Sequence, residues 1–560
     1  MKEEIKLFFK GDIENDLETL KKYSRDASIF EIRPKLVVFP KDSEDVKNLV
    51  KWVNQKKSDF KNSPKSDLCN LSITARSAGT DMSGGALGES IVMDFTKYMN
   101  KFISSDLNSL EPNITVQPGM FYTDFEKIVS EKGLMMPSYP ASKSICAMGG
   151  IVANNSGGEK TLVYGKTEDY VIGLKIILSD GNEYEIKSLS KDGLEKKIAQ
   201  NNFEGEIYKK IKSLITNHYS LIKKAKPNVS KNSAGYYIWN IEQADNKFDL
   251  NKLIVGSQGT LGIITEITFK LVKEKPYSRL LVMFLKKTDI LPSLVNQVLK
   301  SKPETLESYD DKTLLMVFKY IWSFAKLLGV KNLFKLLWSF LPESKIILTH
   351  GFPKLIILAE FTGETEKEVT MMAKEAVENV KIIKGVFTRL THGEFEAKKY
   401  WTIRRQAFNL IRYHLKKEKS MPFIDDVIVR PEKMADFFSA VYKILNEYKD
   451  KMTFALGGHS GDGNMHIYTL MDPRNSLVKD IVLEVSERVY SLVVKYGGSI
   501  TAEHNDGIIR TPYLEKMYGK EIIEIFQQIK DIFDPQNIYN PGKKVGGTKK
   551  DIAKYIMKSS

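Results

Sequence analysis

The sequence predicts an α+β protein that contains more than one domain. At 560 residues the chain is too long for one simple core, so two or three domains are expected, each stable without disulfides. In the first half, short apolar runs alternate with glycine-rich turns, which is typical of mixed strands and helices. Cys69 and Cys146 are the only cysteines, which excludes a disulfide framework and any four-cysteine metal site and fits a reducing compartment.

The first elements can be assigned in chain order. Residues 36–40 are predicted to form a strand, and residues 43–55 a capped amphipathic helix. A strand over 71–76 leads into a glycine-rich loop over 76–85, and a further strand over 90–95 follows that loop. Because a strand and not a helix follows, the loop is not the GxGxxG turn of a Rossmann unit.

Three segments with little side-chain bulk predict a cofactor site. The loop at 76–85 exposes successive backbone amides, which suits a pyrophosphate. Residues 140–158 let a flat or bulky group approach the backbone closely, and residues 253–265 are predicted to form a strand, a turn and a strand. The alternative is a β-rich domain whose glycines serve only its turns.

A group of histidines late in the chain predicts a metal-assisted proton-transfer site. His459 and His466 bracket a glycine turn, and Glu503 can supply a carboxylate oxygen to the same ion, which leaves a coordination position for substrate. His504 is then free to act as a base. Asp462 either orients a ligand or caps the turn. The alternative is that these are separate loop histidines with backbone partners.

The formal charge of +14 does not indicate nucleic acid, because the lysines are spread along the chain and no nucleic-acid motif accompanies them. A solvated surface explains the charge, and an anionic substrate or lipid surface would also profit from it. Residues 1–10 show neither a signal peptide nor a spanning helix. A cytoplasmic protein is therefore expected, with any membrane contact peripheral on the cytoplasmic face.

Residues 313–342 form an apolar insert that carries lysines and no acid. Gly329 separates two predicted helical runs, each too short to span a bilayer. Paired amphipathic helices with Trp, Phe and Lys can lie among lipid headgroups and give access to a quinone. The alternative is a helical hairpin that buries its apolar face on its own domain or on a twin subunit.

From about residue 30 to residue 545, these motifs resemble those of the FAD-linked oxidases of the vanillyl-alcohol oxidase and p-cresol methylhydroxylase fold. The likeness is carried by the three glycine-rich segments, the histidine cluster and the closing run at 534–543. Within that fold the chain is most similar to the D-2-hydroxyacid dehydrogenase branch, which acts on D-lactate, glycolate or D-2-hydroxyglutarate. The resemblance implies oxidation of an alcohol next to a carboxylate, with electrons passed to a quinone or a protein acceptor.

The resemblance also implies the domain division and the ligands. Residues 1–275 would bind FAD, 276–500 would form a substrate or cap domain with the helical insert, 501–545 would complete the active site and pack on the FAD domain, and 546–560 would be a tail. The implied FAD-binding residues are Arg76, Ser77, Ala78, Gly79, Thr80, Asp81, Gly84, Gly85, Pro140, Ser142, Gly149, Gly150, Ala153, Asn154, Gly157, Gly256, Gly259, Gly262, Ile263 and Asn540. FAD is expected to be noncovalent, since the first loop has no histidine or cysteine. The resemblance also implies a divalent metal ion, for which zinc is the first candidate.

Arg404 lies in the run 401–405, which resembles a tryptophan-to-arginine string of the family. The resemblance implies that Arg404 grips the substrate carboxylate through two parallel bonds. The alternative is an arginine solvated on a helix flank. Ile424, Phe408 and Tyr468 depart from the pattern of 2-hydroxyglutarate-specific relatives, which predicts a more apolar or larger pocket and argues against that substrate.

The resulting hypothesis is an FAD-dependent dehydrogenase that oxidises a D-2-hydroxy acid to the 2-oxo acid by metal-assisted proton abstraction and hydride transfer to flavin. Two other functions stay open. The same fold serves flavin-dependent ether-lipid synthesis, a transferase reaction without net redox, and a flavin-binding scaffold can lose catalysis. The intact pair Glu503 and His504 argues against the scaffold.

Overall fold

The computed structural model describes residues 1–60, 70–329, 338, 340–414 and 418–557. Helices and strands mix throughout these residues, and the strands form sheets of four, five, two and eight strands. The α+β class predicted from the sequence is confirmed.

The strands before residue 275 form the first three sheets. They are β1 (Asp12–Glu14), β2 (Leu36–Phe39), β3 (Ile73–Arg76), β4 (Ile91–Asp94), β5 (Phe102–Asp106), β6 (Asn113–Val116), β7 (Leu134–Met135), β8 (Val171–Ile177), β9 (Glu183–Lys187), β10 (Ile263–Lys270) and β11 (Val272–Lys273). The first sheet has the order β1-β2-β4-β3, with β2, β4 and β3 parallel. The second has the order β5-β6-β10-β8-β9 and is antiparallel, and β7 pairs with β11.

The helices of this half alternate with these strands along the chain. They are α1 (Lys2–Ile5), α2 (Leu17–Tyr23), α3 (Ser43–Phe60), α4 (Tyr122–Ser130), α5 (Met148–Asn154), α6 (Thr161–Tyr164), α7 (Lys191–Ile198), α8 (Phe203–Asn217), α9 (Tyr219–Ala225) and α10 (Asn251–Ile254). In α3, Val46, Leu49, Val50 and Val53 form one buried face, which packs with the strands of the first sheet. This helix continues past its predicted end near residue 55.

The prediction of a strand at residues 253–255 is wrong, because α10 occupies this position. The backbone N–H of Asn251 donates to Asp249 Oδ1 over 3.0 Å, and that of Val255 donates to Asn251 O over 2.9 Å. A short apolar run fits a buried helical turn as well as a strand, and here the carboxylate of Asp249 supports the turn. The second predicted strand is present as β10.

The strands after residue 275 form one antiparallel sheet with the order β15-β12-β14-β13-β18-β19-β16, and β17 also pairs with β19. They are β12 (Tyr277–Leu285), β13 (Thr305–Asp310), β14 (Leu355–Gly363), β15 (Val386–Leu390), β16 (Lys419–Ser420), β17 (Val427–Ile428), β18 (Thr453–His459) and β19 (Asn464–Met471). The helices that accompany them are α11 (Leu291–Leu299), α12 (Asp311–Lys319), α13 (Ile321–Leu327), α14 (Leu341–His350), α15 (Glu366–Lys381), α16 (Glu394–His414), α17 (Met434–Asn446) and α18 (Val478–Lys495).

The insert differs in detail from its prediction. The run before Gly329 is broken at Tyr320, where φ is −117° and ψ is 38°, so that α12 and α13 are separate helices. Phe324 and Val317 are buried in a core cluster of this half, as expected for a face that packs on its own domain. The second predicted run lies outside the described residues except at its end. Among the described helices, none combines the length and apolarity that a bilayer crossing requires.

The last segment returns to the first half of the chain. It contains α19 (Gly507–Arg510), α20 (Leu514–Tyr518), α21 (Lys520–Phe533) and α22 (Lys549–Tyr555). Asn540 is fully buried, and its Nδ2 donates to Gly85 O and to Gln258 O, each over 2.8 Å, while Thr74 Oγ1 donates to its Oδ1 over 3.2 Å. One side chain therefore joins three segments. The predicted domain boundaries stay a prediction.

Replacing Asn540 with Ala is expected to destabilise the protein by about 2–4 kcal/mol, because two buried carbonyls lose their donor. Urea unfolding measures this loss. The matched control is Asn100→Ala, an exposed asparagine with one local bond to Thr96 O, which should change the free energy of unfolding by less than about 0.5 kcal/mol. Equal effects of the two substitutions would contradict the assigned role of Asn540.

Candidate active site

A tight hairpin brings two of the candidate metal ligands together. His459 ends β18 and faces Asn464, while His466 on β19 faces Gly457. The turn passes so close to a neighbouring segment that a Cβ on Gly463 would lie 1.9 Å from Val429 O, and its φ of +79° also favours glycine. The imidazole centroids of His459 and His466 are consequently 5.1 Å apart.

Glu503 joins these two histidines from a different part of the chain. Its Oε1 lies 3.4 Å from His459 Nε2, and its Oε2 lies 3.9 Å from His466 Nε2. One ligand atom from each residue falls within 4.8 Å of the others, and all three residues are buried. The structure thus brings together the three residues that the sequence predicts as ligands.

Each of the two histidines has a carboxylate on its other ring nitrogen. His459 Nδ1 lies 2.5 Å from Glu307 Oε1, and His466 Nδ1 lies 3.1 Å from Asp425 Oδ1. With Nδ1 as the donor, the lone pair of Nε2 faces the shared centre, which is the arrangement of histidines that bind metals. The donor set of two imidazoles and one carboxylate therefore fits a divalent ion such as zinc. Burial lowers the pKa of His459, but the carboxylates of Glu307 and Glu503 together outweigh this effect and raise that pKa to about 9.

His504 lies beside this centre. Its ring stacks on His466 with 5.1 Å between centroids, and its Nδ1 lies 3.3 Å from Asp425 Oδ2. Asp425 thus holds both imidazoles with one carboxylate. Burial favours the neutral form of His504, but the carboxylates of Asp426 and Asp425 raise its pKa to about 9.

Asp426 holds the backbone of the segment that carries Glu503 and His504. Its Oδ2 accepts the backbone N–H groups of both residues over 2.7 Å each, and the hydroxyl of Thr501 over 2.8 Å. Its Oδ1 accepts Asn464 Nδ2 over 3.0 Å, so the same carboxylate also binds the hairpin. Asp426 therefore fixes the ligand and the candidate base relative to the two strands.

A buried lysine completes the charge arrangement. Lys231 Nζ lies 2.6 Å from Glu503 Oε1 and 3.1 Å from Asp462 Oδ2, and its side chain is 2% exposed. Burial disfavours the ammonium, but these two carboxylates raise the pKa of Lys231 above its usual range. The side chain of Asp462, which the sequence leaves open between two roles, pairs with this lysine.

Arg404 lies next to the same network. Its Nε and one terminal nitrogen lie 3.1 and 3.0 Å from Glu307 Oε2, and its other terminal nitrogen donates to Tyr468 Oη over 3.3 Å. A guanidinium has five N–H groups, so donors remain for a further anion. The alternative of a solvated arginine is not what the structure has, because the side chain is only 10% exposed.

The three glycine-rich segments meet in space. A Cβ on Gly149 would lie 2.8 Å from Ser77 Oγ, which places the first segment against the second. The backbone N–H groups of Gly256 and Gln258 donate to Val152 O and Ala153 O over 2.9 Å each, which joins the third segment to the second. Such close backbone approach explains the small residues.

The first loop has the features of an anion site. Gly79 has φ of +67°, and Asp81 Oδ2 accepts the N–H of Gly85 over 2.6 Å, which folds the loop on itself. The amides of Ala78, Gly79 and Thr80 find no acceptor among the residues that the structure describes. Free amides in a glycine loop fit the pyrophosphate of FAD.

The remaining predicted FAD residues are more varied in their surroundings. Arg76 donates to Arg25 O over 2.8 Å, Pro140 lies against Gly158, and Ile263 is buried in an apolar core. Asn154 Nδ2 donates to Glu503 O over 3.1 Å, so this residue touches the metal-site segment. The individual contacts of these residues with FAD stay predictions.

Four residues of the site were missed by the sequence analysis: Glu307, Asp425, Asp426 and Lys231. The sequence analysis singles out Ile424 but not the two carboxylates that directly follow it. A pair of adjacent acids between apolar residues that are themselves predicted to be buried is a usable signal, because buried acids need partners. Lys231 gives no comparable signal in a chain this rich in lysine.

Comparison with known proteins identifies the family. Residues 34–187 match the family model described as FAD binding domain, and residues 275–544 match that described as FAD linked oxidases, C-terminal domain. Together the two matches cover most of the chain. The chain belongs to the FAD-linked oxidases.

Curated relatives carry related names. The chain is 29% identical over 526 residues to the glycolate oxidase subunit GlcD of Bacillus subtilis, covering 93% of this chain and 91% of that protein. It is 25% identical over 542 residues to D-2-hydroxyglutarate dehydrogenase of Pseudomonas putida, covering 96% of this chain but only 50% of that protein. The chain therefore spans about half the length of several relatives that it matches.

Solved structures show the same fold. p-Cresol methylhydroxylase with substrate bound has a TM-score of 0.64 at 15% identity, with coverage of 96% of this chain and 94% of that one. Alkyldihydroxyacetonephosphate synthase also has a TM-score of 0.64, at 17% identity, with coverage of 96% and 84%. The predicted vanillyl-alcohol oxidase and p-cresol methylhydroxylase fold is confirmed.

The stability of the metal-free protein should depend on the pair of Asp425 and His504. The pKa of His504 in the folded chain, about 9, lies above its ordinary value, so this pair stabilises the fold fully below about pH 6.5 and loses that effect as the pH rises through 9. In Asp425→Asn, the loss of stability between pH 6.5 and 9 should be smaller by about 1 kcal/mol or more.

Urea unfolding at the two pH values measures this difference. The control is Asp531→Asn, which removes an exposed carboxylate that accepts from Gln527. A pH dependence that is the same in wild type and in Asp425→Asn would show that this carboxylate does not hold the charge of His504.

Proposed function

We propose that this chain is an FAD-dependent dehydrogenase that oxidises a D-2-hydroxy acid to the 2-oxo acid and passes the electrons to a quinone or a protein acceptor. The observation that carries the proposal is the convergence of His459, His466 and Glu503 on one centre, with His504 beside them. The names of the relatives support the substrate class. Several of these relatives are about twice as long as this chain. Their names therefore do not establish its electron acceptor or its partners, and both are part of the proposal.

The reaction removes a hydride from a carbon and a proton from its hydroxyl. Bound FAD would accept the hydride, and a divalent ion held by His459, His466 and Glu503 would lower the pKa of the hydroxyl. In its neutral form His504 takes the proton, and it does so at Nε2 because its Nδ1 faces Asp425. With a pKa of about 9 in the metal-free protein, this neutral form increases as the pH rises through that value. The stacking on His466 fixes the ring next to the ligand set.

Arg404 orients the acid. The N–H groups that Glu307 and Tyr468 leave free can bind the substrate carboxylate, and Glu307 keeps the guanidinium in place. The same Glu307 holds His459, so the carboxylate-binding group and a metal ligand share one anchor. This shared contact fixes the distance between Arg404 and His459, which the carboxylate and the hydroxyl of the substrate have to match.

The substrate is proposed to be a 2-hydroxy acid with one carboxylate. Ile424 is fully buried and apolar, and the hydroxyl of Tyr468 already binds Arg404. A second carboxylate would find no cation at these two positions, and leaving it unpaired would be costly. Lactate, longer 2-hydroxy acids and aromatic ones fit this description better than 2-hydroxyglutarate. Phe408, the third departure, has a side chain outside the described residues.

The two alternative functions differ from a dehydrogenase in that neither passes electrons to an external acceptor. An ether-lipid synthase needs no external acceptor, and an inactive scaffold reduces nothing. The likeness to alkyldihydroxyacetonephosphate synthase supports the fold only, and the three-residue ligand set with its adjacent base favours the dehydrogenase.

The dehydrogenase proposal is tested by mixing the anaerobic flavoprotein with D- and L-2-hydroxy acids and following the flavin absorbance. A D-2-hydroxy acid should bleach the flavin, and His504→Ala should slow this by a factor of about 100 or more, because the base is lost. Chelation should slow it as well. His392→Ala, an exposed histidine away from the site, serves as the matched control. Bleaching that neither treatment affects would contradict the assigned roles.

Peripheral contact with an anionic membrane surface through residues 313–342 belongs to the same proposal, since a quinone resides in lipid. Leu315 and Trp322 are 51% and 71% exposed, and Trp338 is 76% exposed. On α14, Leu341, Lys345 and Leu348 follow at helical spacing and are all exposed.

The charge of this surface supports an anionic partner. Its lysines include Lys319, Lys326 and Lys345. Its acids are already paired, with Asp311 2.8 Å from Lys354 and Glu343 2.6 Å from the buried Lys399. Aromatic and aliphatic side chains among lysines are typical of helices that lie in the headgroup region. A twin subunit is the competing occupant.

Flotation with lipid vesicles tests the membrane contact. Vesicles of phosphatidylcholine with phosphatidylglycerol should bind the protein more tightly than phosphatidylcholine alone, and salt should weaken the binding. The double variant Trp322→Ser, Leu348→Ser should bind about 10-fold or more weakly, because two exposed apolar groups are lost. Leu110→Ser, at another fully exposed leucine, should have no effect. Equal binding by both variants, or a concentration-dependent dimer instead, would contradict the membrane contact.

A further inference from the structure

We propose that Lys231 sets the metal affinity of the site by competing with the ion for Glu503, and that Asp462 counteracts this competition. The inference rests on the proposed metal site and goes beyond it, since it assigns a function to two residues that are not ligands. It follows from the position of one buried ammonium between two carboxylates.

Lys231 approaches the oxygen that the ion needs. Its Nζ is 2.6 Å from Glu503 Oε1, which is closer than the 3.4 Å from that oxygen to His459 Nε2. The lysine belongs to the first half of the chain, whereas Glu503 and His459 come from later segments. An ammonium with a 2% exposed side chain cannot exchange these partners for water.

Asp462 gives the ammonium a second partner. Its Oδ2 lies 3.1 Å from Lys231 Nζ, and it sits in the turn between the two histidine ligands. Ser230 Oγ donates to Asp462 O over 3.4 Å, so the turn and the lysine loop are also joined next to the ion pair. Lys231 can therefore keep a carboxylate partner when an ion binds Glu503.

The direction of each effect follows from charge. Without an ion, Glu503 is a buried carboxylate, and Lys231 lowers the cost of its charge. An ion on the same carboxylate repels the ammonium, so Lys231 weakens metal binding. Asp462 neutralises that ammonium, so it strengthens metal binding without touching the ion. The nearby Lys166 does not compete in this way, because its Nζ donates to Ala502 O over 2.7 Å.

Zinc binding to the FAD-bound protein tests the inference in two ways. Competition with a chromophoric chelator measures the affinity for Zn²⁺, and thermal unfolding with and without Zn²⁺ measures the stabilisation. Lys231→Met should bind Zn²⁺ at least 10-fold more tightly and should have a lower Tm when metal-free. Asp462→Asn should bind at least 10-fold more weakly.

Lys530→Met is the matched control. Lys530 is also buried and lies 2.6 Å from Asp534, but its partners do not include the site. This variant should lower the Tm and leave the zinc affinity unchanged. A purely structural role of Lys231 would make Lys231→Met behave in the same way.

The outcomes separate the two proposals. If wild type and His459→Ala bind Zn²⁺ equally weakly, the metal site itself is wrong, and the inference is overturned with it. If wild type binds Zn²⁺ at this site but Lys231→Met and Asp462→Asn shift the affinity in the same direction, or not at all, only the inference is overturned. Should Lys231→Met fail to fold, Asp462→Asn decides, because unchanged or tighter binding by that variant contradicts the role of the pair.

Discussion

Two neighbouring carboxylates, Asp425 and Asp426, hold the candidate active site together. The first binds the imidazoles of His466 and His504, and the second binds the backbone that carries Glu503 and His504. Asp426 adopts φ of +70°, an uncommon conformation that places the two side chains on different partners. This one turn thereby fixes the orientation of the His466 and His504 rings and the backbone position of the segment that carries Glu503 and His504.

Around this turn, buried charges occur in pairs and chains. Glu307 lies between His459 and Arg404, and Lys231 lies between Glu503 and Asp462. Buried ion pairs of this kind add little net stability, because desolvation offsets the attraction, but loss of one partner is costly. These ion pairs therefore act mainly by fixing the positions of the side chains, because each charged group needs its partner at one place. Such an arrangement suits a site that must hold an ion, a base and an acid substrate at fixed distances.

The sequence predicted the fold class, the glycine-rich segments and the three ligand candidates, because these depend on local features that are rare elsewhere in the chain. Histidine occurs only seven times, whereas acids number 70 and lysine with arginine 84. Glu307 and Lys231 could not be singled out from such common types, since their roles depend on pairing between distant segments. The turn at 251–254 and the break at Tyr320 were missed because backbone contacts and dihedral angles decide them, while the apolar pattern does not.

Asn505 directly follows His504, and its φ of +66° is one that asparagine tolerates. Its Nδ2 donates to Asn154 O over 3.1 Å and to Gly256 O over 2.9 Å, which ties the residue after His504 to two of the glycine-rich segments. The predicted FAD site and the candidate metal site are therefore in contact through Asn505. If FAD binding raises the affinity of the site for the metal ion by some factor, metal binding must raise the affinity for FAD by the same factor, because linked binding equilibria are reciprocal.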